Sequence, residues 1–383
     1  MPPTHPALGA TLRRFMSPPR DQSEPMYSDR EPVTVGVVGT GGIARVHLDY
    51  LSASPRTRLV GVADLSPVSA RYAADRWGVD RWFTSHTQML TEVKPEVVHV
   101  LTPPWTHRQI VEDALEASAH VICEKPLALS SEELTGLHEL AERQGRWLLE
   151  DQNYRWNDPV CQLQEIVGSG RLGEVRDVEV RMALRLRDGG VFADRHLRSP
   201  AHDLPAGPIH DLLPHLVYLG LMFLPAAARP ERVTALWSNH GPHDGMWRWD
   251  DLDATVVAGG GHLRLRFSAS TRPECFSIVV RGDRGEASTD IFQPYLSVSA
   301  SRPVGQQLTP IVNHLANGVQ LARAGVRNLT QKLLQHTPYH GLERFLDVTY
   351  EALQSGGPPP LSYTDIEETA RLIDTLLLEG NRR

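Results

Sequence analysis

Val33-Thr34-Val35-Gly36-Val37-Val38-Gly39-Thr40-Gly41-Gly42-Ile43-Ala44 is the stretch whose reading decides the fold. Valines at 33, 35, 37 and 38 make a short, nearly continuous apolar run, the pattern of a strand buried on both faces of a parallel sheet. The run ends in a G-x-G-x-x-A turn, and Ile43 to Leu51 reads as a helix behind it. Strand, glycine turn and helix start together make an anion site. Gly39 permits the turn, Gly41 lets the backbone approach a pyrophosphate, and the small Ala44 lets helix pack on strand. A second apolar run, Leu59-Val60-Gly61-Val62-Ala63, ends in Asp64, 25 positions beyond Gly39. That is where an acidic side chain holds the ribose hydroxyls of a dinucleotide.

Working outward, helix and strand patterns alternate. Pro67–Trp77 reads as a helix, Arg81–Phe83 as a short strand and Thr87–Val93 as a short helix. Val97–Leu101 is the next buried strand, followed by a helix over Thr106–Ser118, a strand over Val121–Cys123 and a helix over Ser130–Gln144 with Ser130 and Glu133 as a capping box. Trp147–Glu150 is the last strand of the series. Alternation of this kind implies a doubly wound parallel sheet with right-handed crossovers, and ligands sit outside the carboxyl ends of its strands. The residues at those ends are Gly39, Asp64, Thr102-Pro103, Glu124-Lys125 and Gln152-Asn153. Lys125, fixed between a buried strand and Pro126, is placed at the ligand edge.

From about Asn157 the texture changes. Val178, Val180 and Met182 alternate with Glu179 and Arg181; Leu263, Leu265 and Phe267 with Arg264 and Arg266; Phe276, Ile278 and Val280 continue the pattern, as do Val233, Ala235 and Trp237. Period-two alternation predicts strands with one buried and one wet face, hence an α+β domain with a large, open-faced, mainly antiparallel sheet. Gly282-Asp283-Arg284-Gly285 reads as a hairpin turn and Gly259-Gly260-Gly261 as another. Gly207-Pro208-Ile209-His210-Asp211-Leu212-Leu213-Pro214-His215 places Asp211 and His215 four apart, on one face of a helix. Because proline suits the first turn, Pro214 predicts a helix start near Asp211–Leu213.

These residues carry a family resemblance. The glycine turn with His47 beyond it, Asp64, Thr102-Pro103 before His107, Glu124-Lys125-Pro126 and Asn153-Tyr154-Arg155-Trp156 occur in the order seen in the glucose–fructose oxidoreductase / inositol dehydrogenase / rhizopine catabolism family (Gfo/Idh/MocA), which the chain resembles over about residues 33–300. The resemblance implies a catalytic set of Lys125, Asp211 and His215, with His210 as a rival to His215. It implies a sugar, cyclitol or sugar-derived substrate and a homo-oligomer, dimer or tetramer, formed through the open sheet face. Three departures stand out: Leu213 replaces a usual glycine, Pro214 precedes the histidine, and Tyr218 stands where inositol-dehydrogenase-like members often have an aspartate. The expected cofactor contacts are Gly39, Thr40, Gly41, Gly42, Ile43, Asp64, Thr102, Pro103, His107, Glu124 and Lys125. Substrate contacts are expected from Asn153, Arg155, Trp156, Arg185, Asp188, His210 and Trp247.

Composition sets the frame. The 383 residues carry a formal net charge of −7 and no long basic run, which gives no footing for nucleic acid or an anionic membrane. Three cysteines without metal-like spacing predict a reducing compartment and a cytoplasmic protein without a disulfide framework. His240 and His243 lack further ligands, so no metal is expected. Residues 1–31, with a proline-rich sequence and no apolar periodicity, predict a disordered or loosely docked arm. Arg13-Arg14-Phe15 there lacks the apolar region an export signal needs. The expected organisation is a dinucleotide-binding domain over 32–153, a substrate and oligomerisation domain over 154–360 with a helical insertion at 311–334, and a C-terminal helix at 361–383. The insertion has apolar residues at 311, 315, 319, 322, 326, 329 and 333, a stripe expected to be buried or to contact another subunit. Thr364 and Glu367 are expected to cap the last helix.

The expected activity is hydride transfer between a secondary alcohol carbon and nicotinamide. NAD is expected over NADP because Asp64 repels a 2′-phosphate, although Arg71 further on weakens that preference. His215 would move the proton, Lys125 would hold the reacting oxygen and Asp211 would orient. A lyase or glycoside hydrolase using a tightly held NAD in a transient internal oxidation, or a non-catalytic nucleotide-binding scaffold, is the alternative.

Overall fold

The computed structural model describes residues 31–381 apart from 195, 198, 226–229, 242–245 and 334–339. The expected N-terminal arm and His243 lie outside the described residues. The first half is β1 (Val33–Val38), α1 (Ala44–Ala53), β2 (Thr57–Ala63), α2 (Pro67–Trp77), β3 (Trp82–Phe83), α3 (His86–Val93), β4 (Val97–Val100), α4 (His107–Glu116), β5 (His120–Cys123), α5 (Ser131–Gln144) and β6 (Leu148–Glu150). All six strands run parallel in the order β3-β2-β1-β4-β5-β6. The order reverses between β1 and β4, which opens a crevice at their carboxyl ends. Local chemistry sets the helix ends. Ser66 accepts from Ser69 N ahead of Pro67, and Ser130 accepts from Glu133 N, as the capping box predicts.

The second half begins with a 3-10 turn, Asn153–Trp156, then α6 (Asp158–Gly168), β7 (Val175–Ala183), α7 (Pro208–Leu221), β8 (Pro230–Ser238), β9 (Asp251–Ala258), β10 (Gly261–Ser268), β11 (Cys275–Gly282), β12 (Gly285–Asp290) and β13 (Leu296–Ala300). The seven strands are ordered β13-β12-β11-β7-β10-β9-β8 and are antiparallel except for the parallel pair β7–β10. Val178, Val180, Met182, Leu263, Leu265, Phe276 and Ile278 fill the face covered by α7. The other face is a lattice of ion pairs: Arg281 reaches Asp177 and Glu286, each at 2.6 Å, and Arg266 reaches Asp253 at 2.9 Å.

Three helices close the chain: α8 (Thr309–Leu333), α9 (His340–Ser355) and α10 (Tyr363–Asn381). Leu342, Phe345, Leu346 and Tyr350 of α9, with Ile366 of α10, join the core of the parallel sheet. Leu372, Ile373 and Leu376, further along α10, join the core of the other sheet. One helix thus braces both cores.

Two expectations are corrected. α7 starts at Pro208, not near Asp211–Leu213, and carries Pro214 inside it. Its residues from Leu213 to Gly220 are all buried, so packing around the helix outweighs one missing backbone hydrogen bond. The last helix is capped by Ser362, whose Oγ accepts from Asp365 N, while Glu367 instead pairs with His138 and Arg371. The apolar stripe of α8, expected to be buried or to contact another subunit, is exposed on the single chain.

Candidate active site

The crevice starts at the glycine turn. Gly39 has φ +89°, and a Cβ there would lie 2.7 Å from Leu101 O, so only glycine fits. A Cβ at Gly41 or Gly42 would meet nothing within 4 Å, which leaves the loop open for a ligand's backbone approach. No side chain caps α1 at Ile43, so its first amides remain directed into the crevice. Asp64 closes the turn. Its Oδ2 accepts from Thr40 N at 2.9 Å and from Thr40 Oγ1 at 2.8 Å, and its Oδ1 accepts from Ser66 N. Leu65 beside it is almost fully exposed. Arg71 pairs along α2 with Asp75 at 3.7 Å.

Across the crevice, Thr102 and Pro103 end β4, and Thr106 Oγ1 donates to Pro103 O at 2.8 Å. His107 is buried. Its Nε2 lies 2.7 Å from Thr102 O and its Nδ1 3.0 Å from Pro126 O. Burial lowers its pKa, so the ring donates to one carbonyl at a time. His107 therefore braces the loop after β4 against the loop after β5, rather than facing a ligand.

Lys125 is the centre of the site. Its Nζ donates to Asp211 O at 2.8 Å and to Asp211 Oδ1 at 2.9 Å, which joins the parallel-sheet edge to α7. Burial works against its charge, but the carboxylates of Asp211 and Glu124 outweigh burial and raise its pKa. Lys125 is a permanent cation and a donor. His215, one turn beyond Asp211, is held well below the usual imidazole range by burial and by the Lys125 charge. Its Nδ1 lies 2.8 Å from Tyr218 OH, and the Tyr154 ring meets it edge-on at 4.7 Å. That leaves Nε2 as the nitrogen for a substrate. Tyr218 OH also accepts from Tyr154 N at 3.3 Å, so the buried tyrosine fixes the histidine ring.

Around this centre, Asn153 Oδ1, Arg155 Nε and Trp156 Nε1 are buried without hydrogen-bond partners. Such orphaned groups are what a ligand or water satisfies, and of the three Trp156 packs on Phe345 in the parallel-sheet core. The remaining residues expected to touch substrate lie elsewhere. His210 is buried against a cavity of about 20 Å³ shared with Glu150 and Asp374, and burial pushes its pKa down to about 4. Trp247 is buried, donates to Phe192 O and stacks under Arg187, which gives it a packing role. Arg185 and Asp188 form an exposed pair at 2.7 Å.

Behind Lys125 lies a cluster that the sequence did not reveal. His47 Nε2 is 3.5 Å from Asp151 Oδ2 and 3.7 Å from Glu124 Oε1, all buried. Three ligand-type atoms so close could hold a cation. A proton already serves: burial opposes the His47 charge, yet Asp151 and Glu124 outweigh it and raise the pKa to about 9.

Two sequence profiles match this chain: the oxidoreductase family with an NAD-binding Rossmann fold (GFO/IDH/MocA) over residues 33–152, and the GFO/IDH/MocA C-terminal domain over residues 160–288. The chain belongs to the GFO/IDH/MocA oxidoreductase family. Uncharacterized oxidoreductase ORF334 of Rhizobium meliloti is 31% identical over 362 residues, covering 91% of this chain and 97% of that protein. D-glucoside 3-dehydrogenase of Escherichia coli is 32% identical over 189 residues, 49% of this chain and 52% of that enzyme, about half its length. Among solved structures, the WlbA dehydrogenase of Chromobacterium violaceum in complex with NADH and UDP-GlcNAcA superposes with a TM-score of 0.73 at 18% identity, covering 93% of this chain and 95% of that one. Levoglucosan dehydrogenase with NADH and levoglucosan gives 0.72 at 17%, covering 92% and 98%. At such identities these two establish the shared fold. As a family member, the chain has an NAD-binding Rossmann domain, and the glycine turn, the uncapped α1 and Asp64 fit that cofactor.

Proposed function

We propose that this protein is an NAD-dependent dehydrogenase that interconverts a secondary alcohol and a ketone on a sugar, cyclitol or sugar-derived substrate. The observation that carries the reading is the cationic Lys125, held by Asp211 at the carboxyl edge of the parallel sheet beside a buried, neutral His215. NAD supplies a hydride acceptor at nicotinamide C4 when bound. In the oxidation direction Lys125 Nζ donates to the substrate oxygen and stabilises the negative charge that develops there. His215 Nε2 takes the hydroxyl proton as the carbon loses hydride, and in reduction it returns the proton. A histidine held neutral by burial and by a neighbouring cation is base-competent at neutral pH. Asp211 keeps Lys125 charged and aimed. Asp64 supports NAD over NADP, with Arg71 engaged by Asp75, and exposed Leu65 offers apolar surface to an adenine ring. The sugar or cyclitol class is supported by the names of similar dehydrogenases such as the D-glucoside 3-dehydrogenase. We further propose that the protein acts in the cytoplasm, where its three free cysteines stay reduced, and that it works as a homo-oligomer.

The test is a fluorescence titration with NADH and NADPH, followed by steady-state assays over sugars, glycosides and cyclitols. The expected result is tighter NADH binding and NADH formation with at least one substrate. A cofactor that remains bound and returns to its starting redox state over each turnover would favour internal oxidation and overturn the dehydrogenase reading.

A further inference from the structure

His47 of α1 and His99 of β4 are fully buried within a core built mostly of valine and leucine. A polar ring taken out of water is costly there unless it is partnered. The partners run in one line. Tyr350 OH of α9 lies 2.7 Å from His99 Nε2, and His99 Nδ1 lies 2.9 Å from His47 Nδ1. His47 Nε2 then faces Asp151 Oδ2 at 3.5 Å and Glu124 Oε1 at 3.7 Å. At those distances charge, rather than a directed hydrogen bond, couples the ring to the two carboxylates. The line ends at the site. Glu124 Oε2 accepts from Lys125 N at 3.1 Å, so the carboxylate facing His47 also holds the backbone from which the Lys125 ammonium reaches Asp211.

We propose that His47 is a positioning residue for Lys125, acting through Glu124, with His99 and Tyr350 holding its ring. The inference rests on the dehydrogenase reading above and adds to its machinery a residue buried behind the site. Three carboxylates, Glu124, Asp151 and Asp211, meet two cations, Lys125 and His47. A protonated His47 leaves one negative charge uncompensated, and a neutral His47 leaves two. The extra charge lies near the substrate oxygen that becomes negative, so it opposes the stabilisation Lys125 supplies. It also leaves Lys125 as the remaining cation for Glu124, in competition with Asp211. Both effects act on the transition state more than on bound substrate, so they lower kcat and leave KM nearly unchanged. The surrounding groups keep their charge where His47 loses its own. Burial pushes Cys123 at the end of β5, Tyr218 of α7 and Tyr350 of α9 well up, and it lowers His99 of β4 and His107 of α4. Burial lifts Asp151 to about 6 and raises Glu150 beside it. Burial opposes the Lys125 charge, but Asp211 and Glu124 outweigh it and raise its pKa. Burial opposes the His47 charge too, but Asp151 and Glu124 outweigh it, so of these groups His47 is the one that titrates near pH 9.

The sequence holds lysine only at 94, 125 and 332, so in a full chain carrying lysine labelled with carbon-13 at Cε, the Lys125 signal is identified by its loss in Lys125→Met. Nuclear magnetic resonance follows that signal from neutral to alkaline pH, with no substrate needed. The expected result is a step at Lys125 centred near pH 9 in the natural protein, with no matching step at Lys94 and none at Lys125 in His47→Gln. Tyr350→Phe keeps the buried ring and removes the hydroxyl on His99 Nε2, which covers the case of a His47→Gln chain that does not fold. There the step is expected to move to lower pH, because His99 Nδ1 becomes a poorer acceptor for His47. In steady-state assays over the sugar, glycoside and cyclitol panel, kcat of the natural protein is expected to fall on the order of tenfold through the same pH with KM nearly unchanged. His47→Gln is expected to show the lower kcat throughout and no such fall. A Lys125 signal without a step near pH 9, or a step that neither variant moves, overturns the proposal, and so does one kcat profile shared by the natural chain and His47→Gln. A step at Lys125 in a chain that oxidises no member of the panel supports the coupling of His47 to Lys125 and overturns the dehydrogenase reading.

Discussion

His47 Nδ1 and His99 Nδ1 face each other across 2.9 Å, so one ring donates and the other accepts. Burial and the His47 charge hold His99 well below its usual range, so His99 is the neutral acceptor and its Nε2–H points to Tyr350 OH at 2.7 Å. His47 is the cation, with Asp151 and Glu124 on its other nitrogen. Because Glu124 precedes Lys125 and its Oε2 accepts from Lys125 N at 3.1 Å, this buried pairing sits directly behind the site.

A pH dependence of stability follows. The His47 pKa is raised from 6.5 to about 9, so its contribution is fully present below pH 6.5 and is lost as pH rises through about 9. A shift of that size corresponds to about 3 kcal/mol at most. The unfolding midpoint is expected to fall between pH 6.5 and pH 9.5 in the natural protein. His47→Gln leaves the carboxylates unpaired, costs roughly 3–5 kcal/mol at neutral pH and removes that slope. Thermal unfolding across this window, read for both chains, checks it; an equal slope in both would refute the assignment.

Lys125→Met is expected to lower kcat by about 10²–10³-fold while NADH affinity changes little, since the lost group is a donor to developing charge. Lys125→Arg is expected to recover only part, because the fork-shaped guanidinium does not reproduce a point donor held by Asp211 Oδ1 and O. Steady-state rates with a parallel NADH titration decide; equal losses in rate and cofactor binding would place Lys125 with the cofactor alone.

Much of this was legible in the sequence where one local rule acted alone. The run at 33–38 is buried on both faces, so it reads as an unbroken apolar strand, and Ser66-Pro67 and Ser130 mark helix starts through their own backbone chemistry. Reading failed where packing overrode the local rule. Pro214 argued for a later helix start, but α7 is buried nearly all round and keeps its length. Periodicity on α8 gave the stripe without saying which way it faced, because the inward pull comes from three asparagine amides. The His99–Tyr350 contact joins residues 251 positions apart, which no spacing in one sequence can show.

Tyr218→Phe tests the ring that holds the histidine. The variant keeps the packing of a buried ring and removes the hydroxyl on His215 Nδ1. Loss of one buried hydrogen bond costs about 1–2 kcal/mol of stability. The informative readout is catalytic. kcat is expected to fall on the order of tenfold with KM nearly unchanged, and the acidic limb of the pH–rate profile is expected to move, since a freed ring titrates differently. A stability loss with unaltered kcat and pH profile would reduce Tyr218 to a packing residue.

Asp64→Ser separates two roles of one carboxylate. Asp64 Oδ2 ties down Thr40 in the glycine turn, and the same group repels a 2′-phosphate. Serine removes the negative charge and leaves a hydroxyl for the turn. NADH is expected to bind roughly tenfold more weakly, as a charge-assisted hydrogen bond to the ribose is lost. NADPH is expected to bind more tightly than in the natural protein, because the repulsion is gone. Arg71→Ala in the same background is expected to leave both affinities unmoved, since that guanidinium is already engaged by Asp75 at 3.7 Å. Fluorescence titration of both nucleotides against the three chains measures each effect. A fall in NADH affinity with no gain for NADPH would mean that Asp64 acts only by shaping the turn, and the preference for NAD would then have to come from another residue of the crevice.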